Sequence, residues 1–170
     1  MTARKLMLLG EIGVGKTSLL RRLVRGLFDP IYKPTIGVEL HRYQVTDAGP
    51  GRDQSLGLVI WDTDGNFGQT MFRHVYCKGA SAALIVGDAR RRSTQVAMAE
   101  LAVGFEEAFP GRPFGFVVNK CDLLEPGEPL DLPARITEGR EPLLRTSALT
   151  GDNVQGAFTA AASIILRRGM

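Results

Sequence analysis

The residues Gly10-Glu11-Ile12-Gly13-Val14-Gly15-Lys16-Thr17 set three glycines, a lysine and a hydroxyl at the spacing G-x-x-x-x-G-K-S/T. The apolar run Leu6-Met7-Leu8-Leu9 before them reads as a short buried strand, and Leu19, Leu20, Leu23 and Val24 after them share one helical face. Between a strand and a helix, such a loop wraps phosphate oxygens with successive main-chain N–H groups, while the helix N-terminus adds donors and a positive dipole end. Lys16 is then placed on β- and γ-phosphate oxygens, and the Thr17 hydroxyl is a magnesium ligand.

Two further acidic positions stand where strands deliver them. Val59-Ile60-Trp61 is an apolar strand ending in Asp62, and ligands of open α/β sheets sit beyond the carboxyl ends of the strands, so Asp62 is a candidate support for the metal. Phe114–Val118 is likewise a buried strand and leads into Asn119-Lys120-Cys121-Asp122. The elements that must carry these groups follow in order. A first strand is expected over residues 3–9, with a helix running from the phosphate loop to Gly26, a plausible C-cap. Residues 27–37, with Pro30 and Pro34, form an oddly apolar loop. Val38–Thr46 and Ser55–Asp62 read as a hairpin with an exposed edge strand around the turn-rich residues 47–53, and Thr63–Gly68 as a polar loop.

Ala82–Asp88 is a continuous apolar strand, followed by a helix capped by Ser93 or Thr94, with Val96, Ala97, Leu101 and Phe105 inward and Pro110-Gly111 at its end. Pro126, Pro129 and Pro133 make any helix in residues 124–134 short or displaced. Leu143-Leu144-Arg145 is a last strand, and Asp152 or Asn153 caps a last helix with Val154, Phe158, Ala161, Ile164 and Ile165 inward.

Gly10–Thr17, Thr35, Asp62-Thr63-Asp64-Gly65, Asn119-Lys120-Cys121-Asp122 and Thr146-Ser147-Ala148, in that order, resemble the five motifs of the Ras-like small GTPases. Trp61 before Asp62 is most similar to the Rab and Arf branches. The resemblance implies an α/β P-loop G domain spanning residues 1–170, with a six-stranded, mostly parallel sheet, one antiparallel edge strand and helices on both faces. It implies GTP and GDP as ligands with Mg²⁺, and assigns nucleotide contacts to Gly13, Val14, Gly15, Lys16, Thr17, Ser18, Phe28, Asn119, Lys120, Asp122, Ser147, Ala148 and Leu149. Metal ligation falls to Thr17, Thr35 and Asp62, and phosphoryl transfer to Lys16, Thr35, Gly65 and Asn66.

Guanine explains the Asn-Lys-x-Asp element: the Asp122 carboxylate accepts hydrogens from ring N1 and the exocyclic amine, which adenine does not offer in that arrangement. Asn119 steadies base and loops, Lys120 lies along the ring, and the Ala148 N–H meets the guanine oxygen in a loop braced by Ser147. Phe28 either covers the base or anchors its own loop to the core. Tyr32 and Thr35 lie in the first switch. Thr35 and Gly65 contact the γ-phosphate only while it is present, so its loss releases two loops.

Four positions depart from the family pattern. Leu149 replaces a common Lys and removes polar support around the base, although it can still pack. Ile12 stands where a small residue is usual and crowds the γ-phosphate and any incoming arginine. Asp64 replaces a common Ala and sets a carboxylate beside phosphate charge, while Asn66 has the amide of the usual Gln on a stem one methylene shorter. Slow hydrolysis is the expectation, with a non-hydrolysing interaction module that holds nucleotide as a structural ligand as the alternative. An ATP-using kinase is a distant third.

The remaining composition narrows the setting. A chain of 170 residues with 44% apolar and 23% charged residues can bury one core without disulfides, and a net charge of +3 is mild. Arg90-Arg91-Arg92 is the one basic run and reads as a solvated loop, and Arg21-Arg22 as a solvent-facing helix turn, so no nucleic-acid partner is expected. Cys77 and Cys121 read as free thiols of a reducing cytoplasm. His41 and His74 are isolated, Trp61 reads as core, and Phe67, Phe72 and Tyr76 could form a partner patch beside the second switch. Thr2 and the closing Leu-Arg-Arg-Gly-Met carry no lipidation signal, so the expectation is a cytoplasmic switch without a lipid anchor, of bacterial type, working through protein effectors and regulators.

Overall fold

The computed structural model describes residues 3–31, 33–46, 48, 54–65 and 78–169. Six strands form one sheet: β1 (Arg4–Leu9), β2 (Val38–Val45), β3 (Leu56–Thr63), β4 (Ala82–Asp88), β5 (Phe114–Asn119) and β6 (Leu143–Arg145). Their spatial order is β2-β3-β1-β4-β5-β6, and only the β2–β3 pair is antiparallel. The central strands are apolar on both sides because both faces are covered. Alternation along β1 shows it: Leu6 and Leu8 join one core cluster, Met7 and Leu9 the other.

The first cluster is closed by α1 (Lys16–Arg25) and α4 (Val154–Arg167), through Leu19, Leu20, Val154, Phe158 and Ile165. The second is closed by α2 (Arg92–Ala108) and the one-turn α3 (Ala134–Thr137), through Met98, Ala102, Phe105 and Ile136. Phe105, Phe109, Phe114 and Phe116 continue this cluster as a chain of tilted and edge-on rings with centroids 5.2–6.0 Å apart.

The expected elements are present, with differences in phase and capping. Gly26 does end α1, in a left-handed conformation that lets its N–H donate to the Arg22 carbonyl at 2.9 Å. Val24, expected inward, is exposed, because Leu19, Leu20 and Leu23 already meet the core. Helix α2 is turned by about one residue from expectation: Val96 is exposed, and Gln95, Met98 and Ala102 face inward with Phe105. Its N-cap is Arg91, not Ser93 or Thr94; the Thr94 hydroxyl accepts from the Asp88 N–H and donates to the Arg91 carbonyl. Asn153 occupies the N-cap of α4, but its amide donates to the Arg145 carbonyl instead of capping. Ile164 is only partly buried. The helix between β5 and β6 is four residues long and begins directly after Pro133, as the prolines require.

On α3, Arg135 bridges Glu141 at 3.0 Å and Glu106 at 2.8 Å. Burial pushes the Glu141 carboxyl up, but the Arg135 hydrogen bond and neighbouring main-chain N–H groups outweigh it, and the net shift is downward. A depressed carboxyl contributes stability that is complete above its ordinary value of 4.5 and fades as pH falls through the lower folded value. Arg135→Ala should therefore cost about 1 kcal/mol or less at pH 7, by urea titration, and the deficit should shrink at pH 3.

Candidate functional site

The carboxyl ends of β1, β3 and β5 open into one cleft of about 540 Å³, lined by the phosphate loop, Phe28, residues 29–31 and 33–36, residues 63–65, Asn119, Lys120, Asp122, Leu123, Ala148 and Leu149. Gly15 is the N-cap of α1 and has φ +99°, and a Cβ there would stand 2.3 Å from the Asn119 amide nitrogen. The same amide donates to the Val14 carbonyl at 3.0 Å. Asn119 Oδ1 accepts from the Thr146 hydroxyl at 3.2 Å and from the Ala148 N–H at 3.1 Å. One fully buried side chain thus ties the phosphate loop to both loops expected at the base.

Lys16 reaches along the loop to donate to the carbonyls of Gly10 at 2.7 Å and Glu11 at 3.0 Å. Burial lowers its pKa to about 8, against the upward pull of Asp62, Asp64 and Glu11. Asp62 has no solvent exposure, and burial raises its pKa, opposed by the Thr17 hydrogen bond and the Lys16 charge. The Thr17 hydroxyl donates to Asp62 Oδ2 at 2.5 Å and lies 2.7 Å from the Thr35 hydroxyl. Asp62 Oδ1 is the one fully buried side-chain oxygen or nitrogen among the described residues without a hydrogen-bond partner. Two hydroxyls and a carboxylate therefore converge beside the phosphate loop with acceptor capacity to spare, a donor set that fits a hard divalent cation. Among the described residues there is no cluster of three or more His, Cys, Asp or Glu.

At the other end of the cleft, Asp122 Oδ1 accepts from the Ser147 hydroxyl at 2.5 Å. The Lys120 ammonium spans the Gly13 carbonyl at 2.6 Å and Asp88 at 2.8 Å. Phe28 lines the cleft and also packs against the first core cluster. Ile12 is 44% exposed at the cleft, and Leu149 is 48% exposed. Asp64 lines the cleft, acts on Lys16 electrostatically, and its N–H donates to the Gly37 carbonyl at 3.0 Å. Gly65 lies so close to the phosphate loop that a Cβ would stand 2.1 Å from the Ile12 nitrogen.

Asp88, the partner of Lys120, is not among the residues expected here, although it ends a buried strand as Asp62 does. The arginines, expected in solvent, have partners. Arg22 donates to the Ala148 carbonyl at 2.8 Å and to the Leu149 carbonyl. Arg90 holds the Leu123 carbonyl and Glu128, and Arg91 the Ile12 carbonyl at 3.0 Å and Glu11 at 3.5 Å. Arg92 pairs with Asp131. None of these is a merely solvated side chain, and no spacing in the sequence announces acceptors that are main-chain carbonyls. Trp61 is half-buried rather than core, with the Lys5 ammonium 3.4 Å from its ring centroid. His41 is a boundary residue beside Glu39. Tyr32, Asn66, Phe67, Phe72, His74, Tyr76 and Cys77 lie outside the described residues.

The family profile of the Ras of Complex (Roc) domain of DAPkinase matches residues 5–122. The Ras-related protein Rab-4B of Rattus norvegicus is 36% identical over 170 aligned residues, covering 96% of this chain and 76% of the relative. The GTP-binding protein ypt5 of Schizosaccharomyces pombe is 34% identical, covering 94% and 76%. The Ras-related protein Rab-17 of Homo sapiens is 34% identical, covering 96% and 77%. The chain belongs to the Ras-like small GTPases, in the Rab branch. It is a guanine-nucleotide-binding switch that hydrolyses GTP to GDP and phosphate, in a family that uses GTP, GDP and Mg²⁺ and works through effectors and regulators. No helix among the described residues is long and apolar enough to cross a membrane.

Asn119 makes the sharpest local prediction for this small GTPase. Asn119→Ala leaves the buried Val14 carbonyl and Ala148 N–H without their partner, and an unmet buried group costs about 1–3 kcal/mol. The variant should lose roughly 2–4 kcal/mol in urea unfolding. A loss under 0.5 kcal/mol would show that the tie is dispensable.

Proposed function

We propose that this chain is a slow GTP/GDP switch, one G domain over residues 1–170, acting in the cytoplasm through proteins that read its switch loops. The observation that carries the reading is the convergence of the Thr17, Thr35 and Asp62 oxygens, with Asp62 Oδ1 unmet, next to the Lys16 ammonium. Mg²⁺ fits those three residues, and when bound it neutralises charge on the phosphate oxygens. Main-chain N–H groups of Gly13, Val14, Gly15 and Lys16 cradle the phosphates, with Thr17 and Ser18 at the start of α1. Lys16 stabilises charge on the β- and γ-phosphates, and Thr35 and Gly65 offer main-chain N–H groups to the γ-phosphate. Asn66 orients the attacking water.

Asp122 selects guanine, supported by Asn119, Lys120, Ser147 and Ala148, and Phe28 and Leu149 pack along the base. The Asp64 N–H bond to Gly37 joins the two switch segments, so loss of the γ-phosphate is felt by both. Ile31, Ile36 and Leu40, exposed at 67%, 90% and 57%, give protein partners an apolar surface on the first switch and the edge strand.

Ile12 at the cleft and the short stem of Asn66 support slow turnover. A misplacement of about 1 Å can cost 10²-fold in rate, and catalysis of this class rests almost wholly on positioning and charge. Single-turnover phosphate release from GTP with Mg²⁺ should take hours in the native chain, with no turnover of ATP. Ile12→Gly combined with Asn66→Gln should raise the rate by up to about 10²-fold. An unchanged rate would remove these two positions as the cause. The comparisons give the non-hydrolysing alternative no support.

A further inference from the structure

Two arginines grip the loops at the base end of the cleft from behind. Arg22, on α1, donates through Nε to the Ala148 carbonyl at 2.8 Å and through Nη2 to the Leu149 carbonyl, while Nη1 holds the Gly26 carbonyl at 2.8 Å. Arg90, in the turn between β4 and α2, closes Nε, at 2.9 Å, and Nη2 on the Leu123 carbonyl. Its Nη1 meets Glu128 at 2.7 Å, and the other Glu128 oxygen accepts the Glu125 N–H at 2.8 Å. Its own N–H donates to Asp88 at 2.9 Å, the carboxylate that pairs with Lys120.

The carbonyls chosen are telling. Leu123 directly follows Asp122, and Leu149 directly follows Ala148. At their outer ends the two loops meet through the 2.5 Å hydrogen bond between Ser147 and Asp122, so their separation there fixes where the Asp122 carboxylate stands. Asn119 and the Cys121 N–H already pin Thr146 and Ala148 to the inner part of the Asn119–Asp122 segment, so the freedom left to hinge is at the outer ends, Asp122–Leu123 and Ala148–Leu149, and there a planar guanidinium fork on each flank removes it. The Leu149 side chain carries no polar group, and Arg22 holds the carbonyls of this turn while Asn119 holds the Ala148 N–H.

We infer that Arg22 and Arg90 are positioning residues for guanine recognition. Acting through the Ala148, Leu149 and Leu123 carbonyls, they hold the two loops at the spacing at which Asp122 accepts both hydrogens of the guanine edge. The inference rests on the guanine reading of the site given above. Hypoxanthine supplies the test, since it keeps the ring N1 hydrogen and lacks the exocyclic amine. A carboxylate held in place discriminates between the two bases, and one that hinges loses the second contact first.

Dissociation constants for GDP and IDP, with Mg²⁺, should be measured on the full chain and on Arg22→Ala and Arg90→Ala. The native chain should prefer GDP, and each variant should lower the GDP-to-IDP preference by about tenfold. Arg22→Lys and Arg90→Lys keep charge and stem but not the fork, fold more safely, and should lower the preference in the same direction. Variants that release both nucleotides faster with the preference intact would overturn the inference, because a structural role alone predicts that pattern. A native chain that binds GDP and IDP equally would overturn the guanine reading itself.

Discussion

The Asn119 side chain is the tie on which the cleft depends. It is fully buried, its amide donates to the phosphate loop at Val14, and its carbonyl oxygen accepts from Thr146 and Ala148. These partners come from two segments far apart in sequence, and β5 brings them together by ending where β6 and the phosphate loop converge. The close approach has a consequence at Gly15, where any side chain would collide with the same amide. A glycine of the phosphate loop and an asparagine of the base motif therefore constrain one another.

Around that tie the sheet delivers charge into a poorly solvated place. Burial lowers Lys16 and raises Asp62, so each ion is held against its solvation preference, partly by the other. Such a site is poised for a ligand that brings opposite charge to both: phosphate for the lysine, a divalent cation for the carboxylate and the two hydroxyls. Asp64 complicates the balance, since it also acts on Lys16 and stands at the cleft rather than turned away from it. Its carboxylate competes with phosphate for the same ammonium, and a triphosphate brings more negative charge to the cleft than a diphosphate does.

The parallel core was legible because strands buried on both faces read as unbroken apolar runs, and the site because phosphate and guanine recognition use fixed spacings at strand ends. The helix faces were less so. Val24 and Val96 are apolar yet exposed, and Gln95 is polar yet buried because its amide serves the Asp88 and Ala89 carbonyls. A hydropathy pattern cannot see that a buried glutamine is satisfied by a turn preceding its own helix. The arginines were opaque for the same reason: Arg22, Arg90 and Arg91 act on carbonyls, and every residue has a carbonyl, so no residue type marks the partner. Caps failed likewise at Thr94 and Asn153, whose side chains found other backbone groups within reach.

The segments facing the cleft differ from the floor in how they are held. Lys16, Asp62, Asn119, Thr146 and Ser147 are buried and fixed by the sheet, whereas Ile31 and Ile36 stand largely in solvent. Among the described residues, the Thr35 hydroxyl meets Thr17 on the floor, and the Asp64 N–H joins the two outer segments at Gly37. A net hydrogen bond contributes only about 1 kcal/mol, so such loops are held by a margin that one phosphate group can change. The rigidity of the floor and the slightness of these tethers are complementary: a floor that moved with the nucleotide would spread the change through the core, whereas a fixed floor confines it to the exposed apolar edge where another protein can read it.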